Sequence, residues 1–92
     1  MVTVVNVGGS SEHERSTENL TWEQHWKRYS SENWPAKCVC CGANPAEVGG
    51  HVRIFGERKQ YIVPMCKQCN GKPAGHEFPN VDRKWLVPVV DN

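Results

Sequence analysis

Two pairs of cysteines constrain this chain more than any other feature of its sequence. The first pair lies in Cys38-Val-Cys40-Cys41 and the second in Cys66-Lys-Gln-Cys69. Two cysteines separated by two residues allow a tight turn to direct both sulfurs at one tetrahedral metal ion. We therefore predict that Cys38, Cys41, Cys66 and Cys69 together bind one structural Zn²⁺. The position of Cys40 leaves open whether it replaces one of its neighbours as a ligand.

The size of the chain also favours a metal. Its 92 residues, of which 38% are hydrophobic, are enough for one small domain with a lean core, and such domains commonly depend on a metal or on disulfides. The odd number of cysteines, five, argues against a fully paired disulfide framework. A structural zinc supplies roughly 10–16 kcal/mol of apparent binding free energy in zinc-finger peptides. We expect the segment between the cysteine pairs to unfold without it.

Charge and hydropathy indicate the compartment of the protein and the class of its binding partner. The N-terminal residues MVTVV have neither the basic region nor the long apolar region of a secretory signal, and no apolar run has the length of a membrane span. We expect a cytoplasmic protein with no membrane partner. Eight of the 11 lysines and arginines follow residue 35, where they either neutralise the thiolates or contact nucleic acid.

A helix is predicted to begin at Thr21. The sequence Thr21-Trp-Glu-Gln24 has the form of a capping box, in which the threonine oxygen and the glutamine side chain bind amides at a helix start. Trp22, Trp26 and Tyr29 then recur at helical spacing on one face. We predict that this face packs on the core of the domain.

The segment between the cysteine pairs has the pattern of a β-hairpin. Residues 48–54 and 60–64 are the two strands, joined by residues 55–58, and a short helix follows at the second cysteine pair. A cysteine turn, a hairpin and a helix in this order are the layout of a treble-clef zinc finger. We therefore predict a small α+β, zinc-stabilised treble-clef domain with a ββα core and an added N-terminal helix over residues 20–92. Residues 1–19 would form a flexible leader or an edge strand.

The cysteine segment resembles the HNH nuclease family from Cys38 to about Lys72. In that family, zinc-binding cysteine pairs surround a ββα catalytic unit that holds one further metal ion. His51 stands where the family has its histidine base, and Asn70, directly after the last cysteine, stands where it has a metal-binding histidine or asparagine. The resemblance implies an endonuclease in which these two residues act on a phosphodiester.

Two positions depart from the family pattern. Gly50 stands where the family has an acidic or histidine metal ligand, and Tyr61 stands where it has an asparagine that orients the base. Because Gly50 offers no ligand and one amide oxygen of Asn70 binds Mg²⁺ weakly, we expect a catalytically degenerate domain. The stretches WEQHW, AEVGGHV and YIVPMC are similar to small bacterial HNH-like zinc-finger proteins.

The sequence therefore predicts a zinc-binding module without catalytic activity, and the resemblance implies DNA or RNA as its partner. The alternatives are an active HNH-type endonuclease that uses His51 with a divalent metal, and a finger that binds another protein through the hairpin edge or the tryptophan helix. The candidate phosphate contacts are the basic residues of the cysteine segment: Arg53, Arg58, Lys59, Lys67 and Lys72.

Overall fold

One five-stranded antiparallel sheet organises the fold. A computed structural model of the chain describes residues 1–7 and 18–89. The sheet order is β4-β1-β2-β3-β5, and all neighbouring strands are antiparallel. The strands are β1 (Val2–Asn6), β2 (Val48–Ile54), β3 (Gln60–Met65), β4 (Glu77–Val81) and β5 (Val87–Pro88).

Helical structure is limited to three short segments in the described part of the chain. The helix α1 (Trp22–Tyr29) begins with the predicted capping box, in which Gln24 N–H donates to Thr21 Oγ1 over 3.1 Å. A single turn, α2 (Lys67–Asn70), follows β3, and a 3-10 turn (Arg83–Trp85) precedes β5. None of these helices is long and apolar enough to cross a membrane.

The predicted α+β treble-clef class with an added N-terminal helix is wrong. The described chain is mainly a five-stranded antiparallel sheet, and α1 is its one helix of more than seven residues. Two physical reasons explain the difference. The second helix stops after one turn because Pro73 lacks a backbone N–H and disfavours helical backbone in the residue before it. The predicted hairpin is also joined by β1, β4 and β5 in one sheet, and short-range patterns do not show which strands pair.

The first strand is an interior strand of this sheet. β1 lies between β4 and β2, and Val4 pairs with Phe78 on one side and Ile54 on the other. Residues 8–17 of the predicted leader, and residues 90–92 at the other end, lie outside the described residues. The N-terminal residues 2–6 are therefore part of the sheet that carries the cysteine segment.

The two faces of the sheet bury different cores. Successive side chains of a strand point to opposite faces, so Val52 and Val63 pack with the buried cysteines while Ile62 packs with Trp22 and Trp26 of α1. Trp26 is fully buried, and its indole N–H donates to the Trp85 carbonyl over 2.8 Å. The sheet thus separates a cysteine-bearing face from a tryptophan-bearing face.

Candidate metal centre

The four predicted ligands lie together at one end of the β2–β3 hairpin. The sulfurs of Cys38, Cys41, Cys66 and Cys69 all lie within 4.8 Å of one another. Three of these residues are buried and Cys41 is exposed. Among the described residues, this is the one group of three or more histidine, cysteine or acidic side chains arranged to hold a metal ion.

A tight turn positions the first cysteine pair. Gly42 N–H donates to the Cys38 carbonyl over 2.9 Å, and Gly42 has a positive φ of 70°, a conformation that glycine adopts without strain. Cys38 N–H donates to the Asn44 carbonyl over 2.8 Å, which closes the loop. Cys40 N–H points back at Cys38 Sγ over 3.4 Å. The turn therefore directs backbone amides at the sulfur as well as bringing the cysteines together.

The second pair is positioned by the end of β3 and the start of α2. Met65 ends the strand, and Cys66 is the extended residue that caps α2. Cys69 N–H donates to Cys66 Sγ over 3.3 Å, so the sulfur occupies the place of the oxygen in an ordinary N-cap. The hairpin carries Cys66 to the centre, and the single turn of α2 returns Cys69 to the same point.

The surroundings of three of the four thiols shift their pKa values in different directions. A hydrogen bond from the Cys40 thiol, aided by nearby backbone amides, lowers the pKa of Cys38 to about 4, although burial opposes this shift. The amides of Asn44 and Ala43 lower the pKa of Cys41. Burial and the neighbouring sulfur of Cys66 raise the pKa of Cys69. The first turn is therefore built to stabilise thiolates, which are the form that binds metal.

The donor set fits a tetrahedral metal. A Zn–S bond of about 2.3 Å implies sulfur–sulfur separations of about 3.8 Å in a regular tetrahedron. The sulfurs of Cys41 and Cys66 lie 3.8 Å apart, and no pair in the group exceeds 4.8 Å. The arrangement therefore needs little contraction to bind an ion of this size.

Cys40 lies beside this centre and outside the four-sulfur group. Its hydrogen bond to Cys38, and then burial and the negative charge of Cys38, raise the pKa of the Cys40 thiol. Of the three cysteines in this turn, Cys38 and Cys41 belong to the group that could hold a metal ion, and Cys40 does not.

His51 and Asn70 lie on opposite faces of the sheet. The His51 ring meets the edge of Trp22, with centroids 4.5 Å apart, and only 6% of His51 is exposed. The Asn70 side-chain oxygen lies 3.2 Å from the point where a Cβ on Gly50 would stand. Because Gly50 and His51 are consecutive in β2, their side-chain directions are opposite. The structure therefore does not bring His51 and Asn70 into one site.

The five candidate cations do not form one surface. Arg53, Arg58 and Lys59 lie where β2 turns into β3, and Lys67 lies in α2, beyond the other end of β3. Lys72 follows α2, and its backbone carbonyl accepts a hydrogen bond from the Asn6 side chain. These basic residues are therefore divided between the hairpin turn and the α2 end.

Two residues near these sites were not singled out by the sequence patterns. Asn44 donates through Nδ2 to Cys66 Sγ over 3.8 Å, and the buried Asn6 joins β1 to the segment after α2. The turn-forming context of Asn44, between Gly42 and Pro45, was visible in the sequence. Its partner was not, because Cys66 is 22 residues away and reaches Asn44 only through the fold.

Comparison of the chain with protein-family models, with curated proteins and with solved structures finds no match.

Proposed function

We propose that this chain is a small binding module in which Cys38, Cys41, Cys66 and Cys69 hold one structural Zn²⁺. The observation that supports the proposal is the mutual approach of the four sulfurs to within 4.8 Å. A set of four thiolates suits Zn²⁺ and iron. Zn²⁺ imposes no geometry of its own and accepts the tetrahedron that the four sulfurs define.

The metal would act on the fold. Four protein sulfurs complete a tetrahedral shell and leave no position for a substrate or an activated water. The ion would join the turn of residues 38–44 to the end of β3 and to α2, in addition to the hydrogen bond from Val39 N–H to the Pro64 carbonyl over 3.1 Å. Three of the four ligands are buried, so ionisation of all four sulfurs at low dielectric needs a cation among them.

The proposed module has no nuclease activity. His51 packs against Trp22 on the face opposite Asn70, and Gly50 adds no ligand between them. Incubation of the zinc-loaded protein with supercoiled plasmid and Mg²⁺ or Mn²⁺ tests this directly. Nicking that disappears in His51→Ala, with zinc content unchanged, would contradict the proposal.

Elemental analysis and spectroscopy test the metal itself. We expect about one zinc per purified chain and no iron, with a colourless protein and dispersed amide proton resonances. Removal of the metal by a strong chelator should collapse that dispersion, and one equivalent of Zn²⁺ should restore it. A metal-free chain that keeps its amide dispersion would overturn the structural role, and stoichiometric iron would overturn the choice of metal.

A further inference from the structure

The β2–β3 turn presents an aromatic ring to solvent. Phe55 is 61% exposed, the most exposed aromatic side chain of the described residues. Glu57 N–H donates to the Ile54 carbonyl over 2.8 Å, and Gly56 has a φ of 85°. These features define a type II turn in which Phe55 is the first of the two central residues. A side chain at that position projects away from both strands.

The backbone beneath the ring is held on two sides. Phe55 N–H donates to the Thr3 carbonyl over 2.9 Å, so β1 supports the turn from one side. On the other side, Arg53 pairs with Gln60 at the end of the β2–β3 ladder. The ring is therefore displayed from an ordered turn, which lowers the entropy lost when a ligand stacks on it.

Cations are concentrated in the chain on both sides of Phe55. Arg53, Arg58 and Lys59 lie within four residues of Phe55, and Glu57 is the one acidic residue of the segment from 53 to 59. Arg53 precedes Phe55 by two residues and extends towards the turn, where it donates to the Glu57 carbonyl over 3.5 Å. Lys59 Nζ lies 5.6 Å from the centre of the Tyr61 ring. The turn thus combines one exposed aromatic side chain with a local excess of positive charge.

We propose that the hairpin tip, defined as residues 53–59, binds single-stranded nucleic acid. A base would stack on the Phe55 ring, and Arg53, Arg58 and Lys59 would contact the adjoining phosphates. An exposed ring next to cations matches the alternation of bases and phosphates along an unpaired strand. The bases of a duplex are already stacked, so a duplex can contact the cations through its phosphates but cannot stack a base on Phe55. The metal contributes only by maintaining the fold.

Fluorescence anisotropy with a labelled oligothymidylate of about 12 nucleotides measures this binding at low salt. Phe55→Ala should weaken the affinity about 5- to 150-fold, which corresponds to the usual contribution of one base–aromatic stack. Phe55→Trp should retain it. Tyr29→Ala is the matched control, because Tyr29 is also exposed, at 40%, but belongs to α1. It should leave the affinity unchanged.

The salt dependence tests the cations separately. Three phosphate contacts on a single strand predict that the logarithm of the affinity falls with a slope of about −2 against the logarithm of salt concentration. The double variant Arg58→Gln and Lys59→Gln should reduce that slope by about 1.4. Lys67→Gln and Lys72→Gln remove the same charge at the other end of the hairpin and should leave the slope unchanged.

The metal content and amide dispersion of each variant are measured before the binding assay. These measurements distinguish a variant that has unfolded from one that is folded but no longer binds through the hairpin tip. A folded protein that does not bind the oligonucleotide overturns the proposal. Equal affinity for Phe55→Ala and the parent chain also overturns it. Binding of anionic lipid vesicles without binding of the oligonucleotide would assign the tip to a membrane surface instead.

Discussion

The side chain of Asn44 joins the two halves of the candidate metal centre. Its Nδ2 lies 3.8 Å from Cys66 Sγ and 2.6 Å from the side-chain oxygen of Gln68. Asn44 belongs to the first cysteine turn, whereas Cys66 and Gln68 belong to the start of α2. A donor aimed at a thiolate stabilises its charged form and fixes the direction of its lone pairs.

Asn44→Ala should therefore weaken zinc binding by about 10-fold, since loss of a hydrogen bond to a metal ligand typically costs 10- to 100-fold in affinity. Competition with a chromophoric chelator measures the change. Gln68→Ala is the matched control, because it removes the partner of Asn44 without removing the donor to Cys66. If both variants bind zinc like the parent, Asn44 does not support the metal.

Replacement of a proposed ligand and replacement of the neighbouring Cys40 thiol should have different effects on zinc content. Cys66→Ser should abolish stoichiometric zinc, with a loss of affinity larger than the roughly 10- to 100-fold cost of a missing supporting hydrogen bond. Cys40→Ser should keep about one zinc per chain, since Cys40 lies outside the four-sulfur group. Elemental analysis after gel filtration distinguishes the two variants. Equal zinc loss in both would place Cys40 among the ligands.

The grouping of the four cysteines was predictable because its information is local. Two residues separate the cysteines of each pair, so one short turn is enough to bring both sulfurs together. The spacing of two residues also favoured Cys41 over Cys40 as the partner of Cys38. The sequence left open whether Cys40 replaces a neighbour, because that depends on how Gly42 closes the turn and on where Cys66 lies.

The order of strands in the sheet was harder to predict from the sequence than the hairpin was. The partners of β1 lie at residues 52–54 and 77–81, so their register depends on contacts between distant parts of the chain. The HNH-like roles of His51 and Asn70 require the two side chains to share one site, and the fold does not place them together. Their places along the chain matched a family pattern, but strand alternation sends His51 and Gly50 to opposite faces.

Gly49 should tolerate no side chain. A Cβ on Gly49 would lie 2.8 Å from the Trp22 backbone carbon and 2.9 Å from Ile62 Cγ2, so α1 would have to move away from β2. We expect Gly49→Ala to lower the free energy of unfolding by about 1–3 kcal/mol, as overpacking of a core typically does. Urea unfolding of the zinc-loaded protein, followed by tryptophan fluorescence, measures the change.

Gly71→Ala provides the control for Gly49→Ala. At Gly71 the nearest atom to an added Cβ is the Lys67 carbonyl oxygen at 3.4 Å, and φ is −84°, which alanine adopts readily. A glycine replaced by alanine in a compatible conformation gains about 0.4–1 kcal/mol through the unfolded state. The two substitutions should therefore shift the urea midpoint in opposite directions. A shift of the same sign in both would contradict the close approach of α1 to β2.

The buried side chain of Asn6 should contribute to stability through one hydrogen bond. Asn6 is 2% exposed, and its Nδ2 donates to the Lys72 carbonyl, while its backbone bonds His76 and Gly75. Asn6→Ala leaves the backbone bonds in place but removes the side-chain donor, which should cost about 1–3 kcal/mol. Thr3→Val, on the same strand, should change stability by less than about 0.5 kcal/mol. Thermal unfolding with zinc in excess measures both, and equal stability of the two variants would show that the Asn6 side chain does not anchor residues 72–76 to β1.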